Sequence, residues 1–165
     1  MPLNMPDGAA CFIDANILYY HFVETPPLSQ ACTLFLERVA AGAIAGYSSV
    51  HVLAEAAHKI MLAEAAASFN LNRAGLVNWL QHHRDHITRL HQFQQAVDEF
   101  LDMNLSMLIA DPTILREAAR LPRERGLLTN DATVLALIRR QGLSHLASND
   151  DDFDDIPGLT VWKPR

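Results

Sequence analysis

The chain has 165 residues, half of them hydrophobic, with 13 basic against 19 acidic side chains and a formal net charge of −6. Such a length is most simply one domain with a sizeable core of its own. The charge excludes a protein that coats nucleic acid through a broad basic surface, because that mode rests on Lys and Arg neutralising phosphates.

Residues 1–10 (MPLNMPDGAA) lack the basic start and apolar block of a signal peptide, and no apolar run is long enough to cross a bilayer. Cys11 and Cys32 have no CxxC spacing and fall in apolar stretches. Reduced core thiols in a soluble, cytoplasmic protein are therefore expected.

In chain order, a first strand is predicted over Cys11–Ile13, closed by Asp14-Ala15-Asn16. Thr25-Pro26-Pro27 marks the start of a helix that runs toward Gly42, since proline is accepted in a first helical turn. Ala43–Tyr47 reads as a short buried strand, Ser48 or Ser49 as a cap, and Val50–Ala67 as an alanine- and leucine-rich helix. The span 68–104 is expected to be a polar helical hairpin inserted in a single domain covering 1–165. Its apolar residues, among them Leu76, Leu80, Ile87, Leu90 and Val97, recur at helical spacing.

Leu105–Ala110 follows as a strand, Asp111-Pro112 opens a helix to about Leu121, and Gly126 marks a turn. Leu127–Thr129 is predicted as strand, Asp131–Gln141 as helix stopped by Gly142, and His145–Ala147 and Leu159–Trp162 as the last strands. This alternation predicts an α/β fold: a central parallel sheet of about five strands with helices on both faces.

The acids fall on this frame in a pattern. Asp14, Asp131 and Asp150 each follow a short apolar run, and in an open parallel sheet the carboxyl ends of the strands line one crevice. Glu55, about two turns into the helix that begins at Val50, can reach the same crevice. Carboxylates gathered this closely repel one another unless a cation lies between them, and Mg²⁺ or Mn²⁺ prefers such hard oxygen donors. Taken singly, each acid has a plain alternative: a turn or helix cap for Asp14, a dipole partner for Asp131, an ion pair with Lys59 for Glu55, and an exposed acidic turn for Asp150-Asp151-Asp152. Arginine outnumbers lysine eleven to two, and Arg116, Arg120, Arg123, Arg125, Arg139 and Arg140 flank the Asp131 region, a bias suited to phosphate contacts.

Phe12-Ile13-Asp14-Ala15-Asn16, Ser49 with Glu55 six residues on, Leu128-Thr129-Asn130-Asp131-Ala132, and Ser148-Asn149-Asp150-Asp151-Asp152-Phe153 before Ile156-Pro157-Gly158-Leu159 together resemble the PIN domain in its VapC-like toxin form. The resemblance spans roughly Cys11 to Pro164. It implies a three-layer α/β/α domain and a metal-dependent endoribonuclease, with Asp14, Glu55, Asp131 and Asp150 as catalytic acids. Asp14, Asp131 and Asp150 would hold one or two Mg²⁺ or Mn²⁺ ions, with Asn16, Thr129, Asn130 and Asp152 in support. RNA as substrate, a cognate antitoxin as partner and a homodimer are further implications. Two features depart from the pattern: the 68–104 span is longer than the hairpin of a minimal member, and the triple aspartate leaves Asp152 as second choice for the fourth acid.

Three other readings compete. A receiver-like phosphoacceptor module would use Asp111 and needs a lysine after its last core strand to engage the phosphoryl group, yet the only lysines are Lys59 and the terminal Lys163. A zinc site from His82 and His86 lacks the glutamate of an H-E-x-x-H arrangement. A non-catalytic binding domain remains the reading to adopt if the acids bind no metal.

Overall fold

The computed structural model describes residues 1–165. Five strands, β1 (Ala10–Ile13), β2 (Ala45–Ser49), β3 (Leu105–Leu108), β4 (His145–Ala147) and β5 (Thr160–Trp162), form one sheet in the order β3-β2-β1-β4-β5. Every pairing is parallel. Strand β1 sits in the centre, and Cys11, Phe12 and Ile13 are all buried, as expected of a strand covered on both faces.

The connections fix the layers. From β1 the chain passes through α1 (Ala15–Phe22) and α2 (Leu28–Ala40) to β2. It then runs through α3 (Val50–Ser68), α4 (Leu76–His82), α5 (Arg84–Ile87) and α6 (Gln92–Asp102) to β3. Right-handed crossovers in one direction keep these helices on one face, where α1 packs on α2 and α3, and α3 on α6. The return from β3 to β4 runs through α7 (Pro112–Ala118), α8 (Leu121–Arg125) and α9 (Thr129–Gln141), which pack on one another and cover the opposite face. The core between the layers contains the fully buried Phe12, Phe35, Phe100 and Phe153. Each such side chain contributes about 1.5–3 kcal/mol by leaving water.

Gly46 in β2 shows how closely the layers meet. A β-carbon built there would lie 2.6 Å from Val39 of α2, 2.8 Å from Leu105 of β3 and 3.1 Å from Ile13 of β1. Only glycine leaves room for that approach.

Four local expectations change. Leu127–Thr129 is not a strand: Leu127 is buried, Leu128 is exposed, and Thr129 already begins α9. Both places beside β1 are filled by β2 and β4, and the run instead leads straight into α9, whose first residue is Thr129. Ala15–Phe22, where no element was predicted, is helix α1, because Asp14 caps it and Ile17 and Leu18 are buried. The segment 68–104 is three short helices rather than a two-helix hairpin. Glu64 of α3, itself buried, accepts the amides of His91 (3.0 Å) and Gln92 (2.9 Å) and so caps α6. The helix opened by Pro112 breaks after Ala118, and α8 restarts at Leu121.

Candidate active site

Strand order reverses at β1: the chain adds β2 and β3 on one side, then β4 and β5 on the other. The crevice beyond the carboxyl ends of β1 and β4 is thus the topological switch point, where open α/β sheets place their ligands. Asp14 follows β1 directly, and its amide donates to the carbonyl of Ala147 at the end of β4 (3.0 Å).

The Asp14 carboxylate is held from three directions. Its Oδ1 accepts the Ala15 amide (2.7 Å), and its Oδ2 accepts both Asn16 Nδ2 (2.6 Å) and Ser148 Oγ (2.7 Å). Ser148, fully buried, accepts in turn from Asn16 Nδ2 (3.0 Å) and from the Asp150 amide (3.0 Å). Asn16 Oδ1 takes the Asn149 amide (2.9 Å). A single network therefore ties the tips of β1 and β4 together. Burial pushes the Asp14 carboxyl above its ordinary range, against the lowering effect of the Ser148 hydroxyl and the Ala15 amide, and the charge of Glu55 adds to the rise.

Beyond Ser148 the chain makes one 3₁₀ turn, Asp151–Phe153, with Phe153 buried as its anchor. Asp150 accepts the Asp152 amide (3.0 Å) and caps the turn. The turn's far side is staked by Lys163, whose side chain is only 8 % exposed and whose Nζ meets Asp151 (2.5 Å) and Asp154 (2.6 Å). Asp151 and Asp154 are thereby drawn toward Lys163, and the first of these ion pairs holds the Asp151 carboxyl below its usual range. The triple aspartate is sorted by this clamp: Asp150 and Asp152 face Asp131 from the loop.

Asp131 lies in the first turn of α9. Its pKa is pushed up to about 6, first by burial and then by the charges of Asp150, Asp14, Asp152 and Glu55. Across the crevice, Glu55 on α3 pairs with Lys59 one turn on (2.7 Å) and accepts Asn130 Nδ2 (3.3 Å). Burial works to lower the Lys59 pKa, but the hydrogen bond and charge of Glu55, with Asp14 behind them, outweigh it and raise it.

The donor set fits a divalent cation. Asp131, Asp150 and Asp152 each offer a carboxylate oxygen, the three lying within 4.8 Å of one another, and no other group of three such side chains in the protein converges this way. All donors are oxygen, the preference of Mg²⁺ and Mn²⁺. Lys59 offsets the charge of Glu55, whereas Asp131, Asp150 and Asp152 form no ion pair with a basic side chain. Asp14, Asp131 and Asp150 do not form an equally tight group, and Asp14 already accepts three hydrogen bonds.

The PIN domain family model matches residues 11–159. The chain is a PIN domain. Among curated proteins no sequence relative is found. Solved structures of the same fold include VapC20 of Mycobacterium tuberculosis, a sarcin-ricin loop cleaving toxin, with a TM-score of 0.59 and 17% identity, covering 87% of this chain and 92% of that one. VapBC2 from Rickettsia felis, bound to a DNA fragment from its promoter, gives a TM-score of 0.56 and 18% identity over 93% and 98% of the two chains. A toxin-antitoxin complex from Klebsiella pneumoniae gives 0.54 and 19% over 94% and 98%.

The PIN domain thus brings Asp14, Glu55, Asp131, Asp150 and Asp152 to one crevice, with Asn16 and Asn130 bonded to two of them. Thr129, exposed at the start of α9, makes no side-chain contact with the acids; its carbonyl accepts the Thr133 hydroxyl (2.9 Å). Arg139 and Arg140 stand at the far end of α9, about 12 Å or more along the axis from Asp131, and Arg140 pairs with Asp111 (2.7 Å). They do not line the crevice. Asp111 is a helix cap, accepting the amides of Thr113 (2.9 Å) and Ile114 (3.0 Å), as the absence of a partnering lysine suggested. His82 and His86 belong to different helices, and His82 is bonded to the Asn78 carbonyl (2.8 Å), so they do not pair as metal ligands. The residues that sequence reasoning passed over are Ser148 and Lys163. Ser148 stands in the quoted motif, but its role depends on a contact spanning 134 residues.

Proposed function

We propose that this PIN domain is a divalent-metal-dependent endoribonuclease that hydrolyses RNA phosphodiester bonds, and the toxin half of a toxin–antitoxin pair in the cytoplasm. The observation that carries the reading is the convergence of five carboxylates at the switch point, three of them forming an all-oxygen cluster in which burial, and then repulsion, raises Asp131. Asp131, Asp150 and Asp152 would hold Mg²⁺ or Mn²⁺. When bound, such an ion lowers the pKa of a coordinated water and neutralises charge on the leaving oxygen. Asp14, oriented by Ser148, Asn16 and the Ala15 amide, adds its charge to the same crevice and would strengthen its hold on a cation. Glu55, tethered by Lys59 and Asn130, positions the attacking water from the opposite side.

RNA enters as a single strand or loop, where the backbone is accessible. A cognate antitoxin is the expected protein partner, supported by the likeness to the Klebsiella complex, and a homodimer is the expected assembly of the toxin alone. No helix is long and apolar enough to cross a membrane.

The test is cleavage of a structured RNA by purified protein with Mg²⁺ or Mn²⁺ and with EDTA, beside Asp131→Asn and Asp150→Asn. Metal-dependent cutting that falls at least a hundredfold in both variants supports the reading. Equal cutting by all samples, or none by the wild type across a broad set of RNAs, overturns it in favour of a binding domain.

A further inference from the structure

A pocket of about 300 Å³ adjoins the acidic crevice on the α1–α3 side. Asn16 belongs to both, bonded to Asp14 at one end and lining the pocket at the other. The stripe of α3 that bears Glu55 runs on through Lys59 to Leu62, three and four positions at a time, so one helix face passes from acid to cation to apolar floor. On α1, Asn16, Tyr19 and Tyr20 share a face in the same way. The far wall comes from the segment between α3 and α4: Leu76 is buried beneath it, and Arg73 donates to the Tyr19 hydroxyl (2.8 Å).

The chemistry of this lining differs from that of the rest of the molecule. Acids outnumber bases 19 to 13 in the chain, yet the pocket is lined by no acid and by two cations, Arg73 and the Glu55-paired Lys59. Apart from Asn16, its other walls are aromatic or apolar, with Tyr19 and Tyr20 edge to face at 5.5 Å. An occupant must therefore be anionic at one end and flat and apolar at the other. Its size suits one such unit rather than several. Bases of single-stranded RNA stack on aromatic rings and arginine planes while cations track the phosphates.

We propose that this pocket is a nucleotide subsite for single-stranded RNA. It seats the base of a nucleotide next to the scissile phosphate against Tyr19, Tyr20 and Leu76, and the nucleotide's phosphate against Arg73 and Lys59. Placing the pocket beside a scissile phosphate rests on the nuclease reading above; the binding itself does not. The segment after α3 thereby acquires a role, since it supplies the wall that selects the flanking base. Tyr20 links the subsite to the acid loop by accepting Asn149 Nδ2 (3.3 Å).

The experiment is fluorescence anisotropy of a labelled single-stranded RNA hexamer in EDTA, where no metal-dependent cutting intrudes. Arg73→Ala, and Leu76→Trp to fill the pocket, are each expected to weaken binding about tenfold. Tyr19→Phe, which only releases the guanidinium, is expected to weaken it about threefold. Arg125→Ala, an exposed cation elsewhere, controls for general charge. Equal affinities across the series, an equal loss in Arg125→Ala, or no binding by the wild type overturns the proposal. Metal-dependent cleavage, run separately, judges the nuclease reading: a wild type that binds with the expected pattern but never cuts sinks that reading and leaves the subsite standing.

Discussion

Asp131→Asn should stabilise the metal-free protein while removing its activity. In the folded protein the Asp131 carboxyl is pushed up to about 6 from an ordinary 3.8, a displacement of about two pH units. At full value this is about 3 kcal/mol, since one unit corresponds to about 1.4 kcal/mol. The group is partly open to solvent, which screens its neighbours, and halving the figure gives about 1–1.5 kcal/mol. The sign follows from proton counting. Between pH 3.8 and 6 the folded state binds more protons at this site than the unfolded one, so stability falls as pH rises through that window and stays low above it.

Asparagine carries no charge at any pH, so the variant should exceed the wild type by about 1 kcal/mol at pH 7.5, and by almost nothing near pH 4. For a chain of this length that advantage is about 2–4 °C in Tm. Thermal unfolding in EDTA at a series of pH values measures it. Saturating Mn²⁺ should then reverse the order at pH 7.5, because a ligand at 100 times its Kd adds about 2.7 kcal/mol to the wild type alone. A variant less stable than the wild type in EDTA at pH 7.5, or an advantage that does not change with pH, would refute the reasoning that crowded carboxylates raise Asp131. The same titration predicts that Mn²⁺ affinity falls by up to about tenfold for each pH unit below 6, as protons compete with the ion for Asp131.

Lys163→Met should release the loop that carries Asp150 and Asp152 and weaken metal affinity about 10- to 100-fold, as loss of outer supports does, while Lys163→Arg keeps most of it; isothermal titration with Mn²⁺ reads both, and unchanged affinity in the methionine variant removes the clamp from the account. Glu64→Ala strips α6 of its cap and leaves the amides of the exposed His91 and Gln92 to solvent, a loss of about 1–2 kcal/mol by urea unfolding, with a value under about 0.5 kcal/mol excluding the capping role. Gly46→Val forces a side chain into the junction of α2, β1 and β3. It should cost about 1–3 kcal/mol or more without altering the acids, and a neutral result would show that the layers can part there.

Much of the fold could be read from local pattern. Short apolar runs separated by helical periodicity placed β1, β4 and α3 within one or two residues, because a strand buried on both faces must be apolar throughout and a cap must precede its helix. The Leu127–Thr129 run failed for a reason the pattern does not contain. Three apolar residues specify burial, and whether they join a sheet depends on which ladder positions other strands have taken. The same limit governed the acids. Asp14, Asp131 and Asp150 were legible as a set because each sits at an element boundary, which fixes its end of the sheet, and Glu55 because it lies within the first two turns of a helix that starts at that end. Their individual roles were not. That Asp14 is saturated by Ser148, Asn16 and Ala15, that Asp152 rather than Asp14 completes the tight triad with Asp131 and Asp150, and that Lys163 sorts one aspartate from the next all depend on distances between residues far apart in the chain. Sequence by itself determined that negative charge would collect at the carboxyl ends of parallel strands, because alternation and caps are local properties. Only the tertiary structure decided which carboxylates repel, which are paired and which are left to seek a cation, because Coulomb energy and desolvation depend on through-space separation and burial, neither of which chain order records.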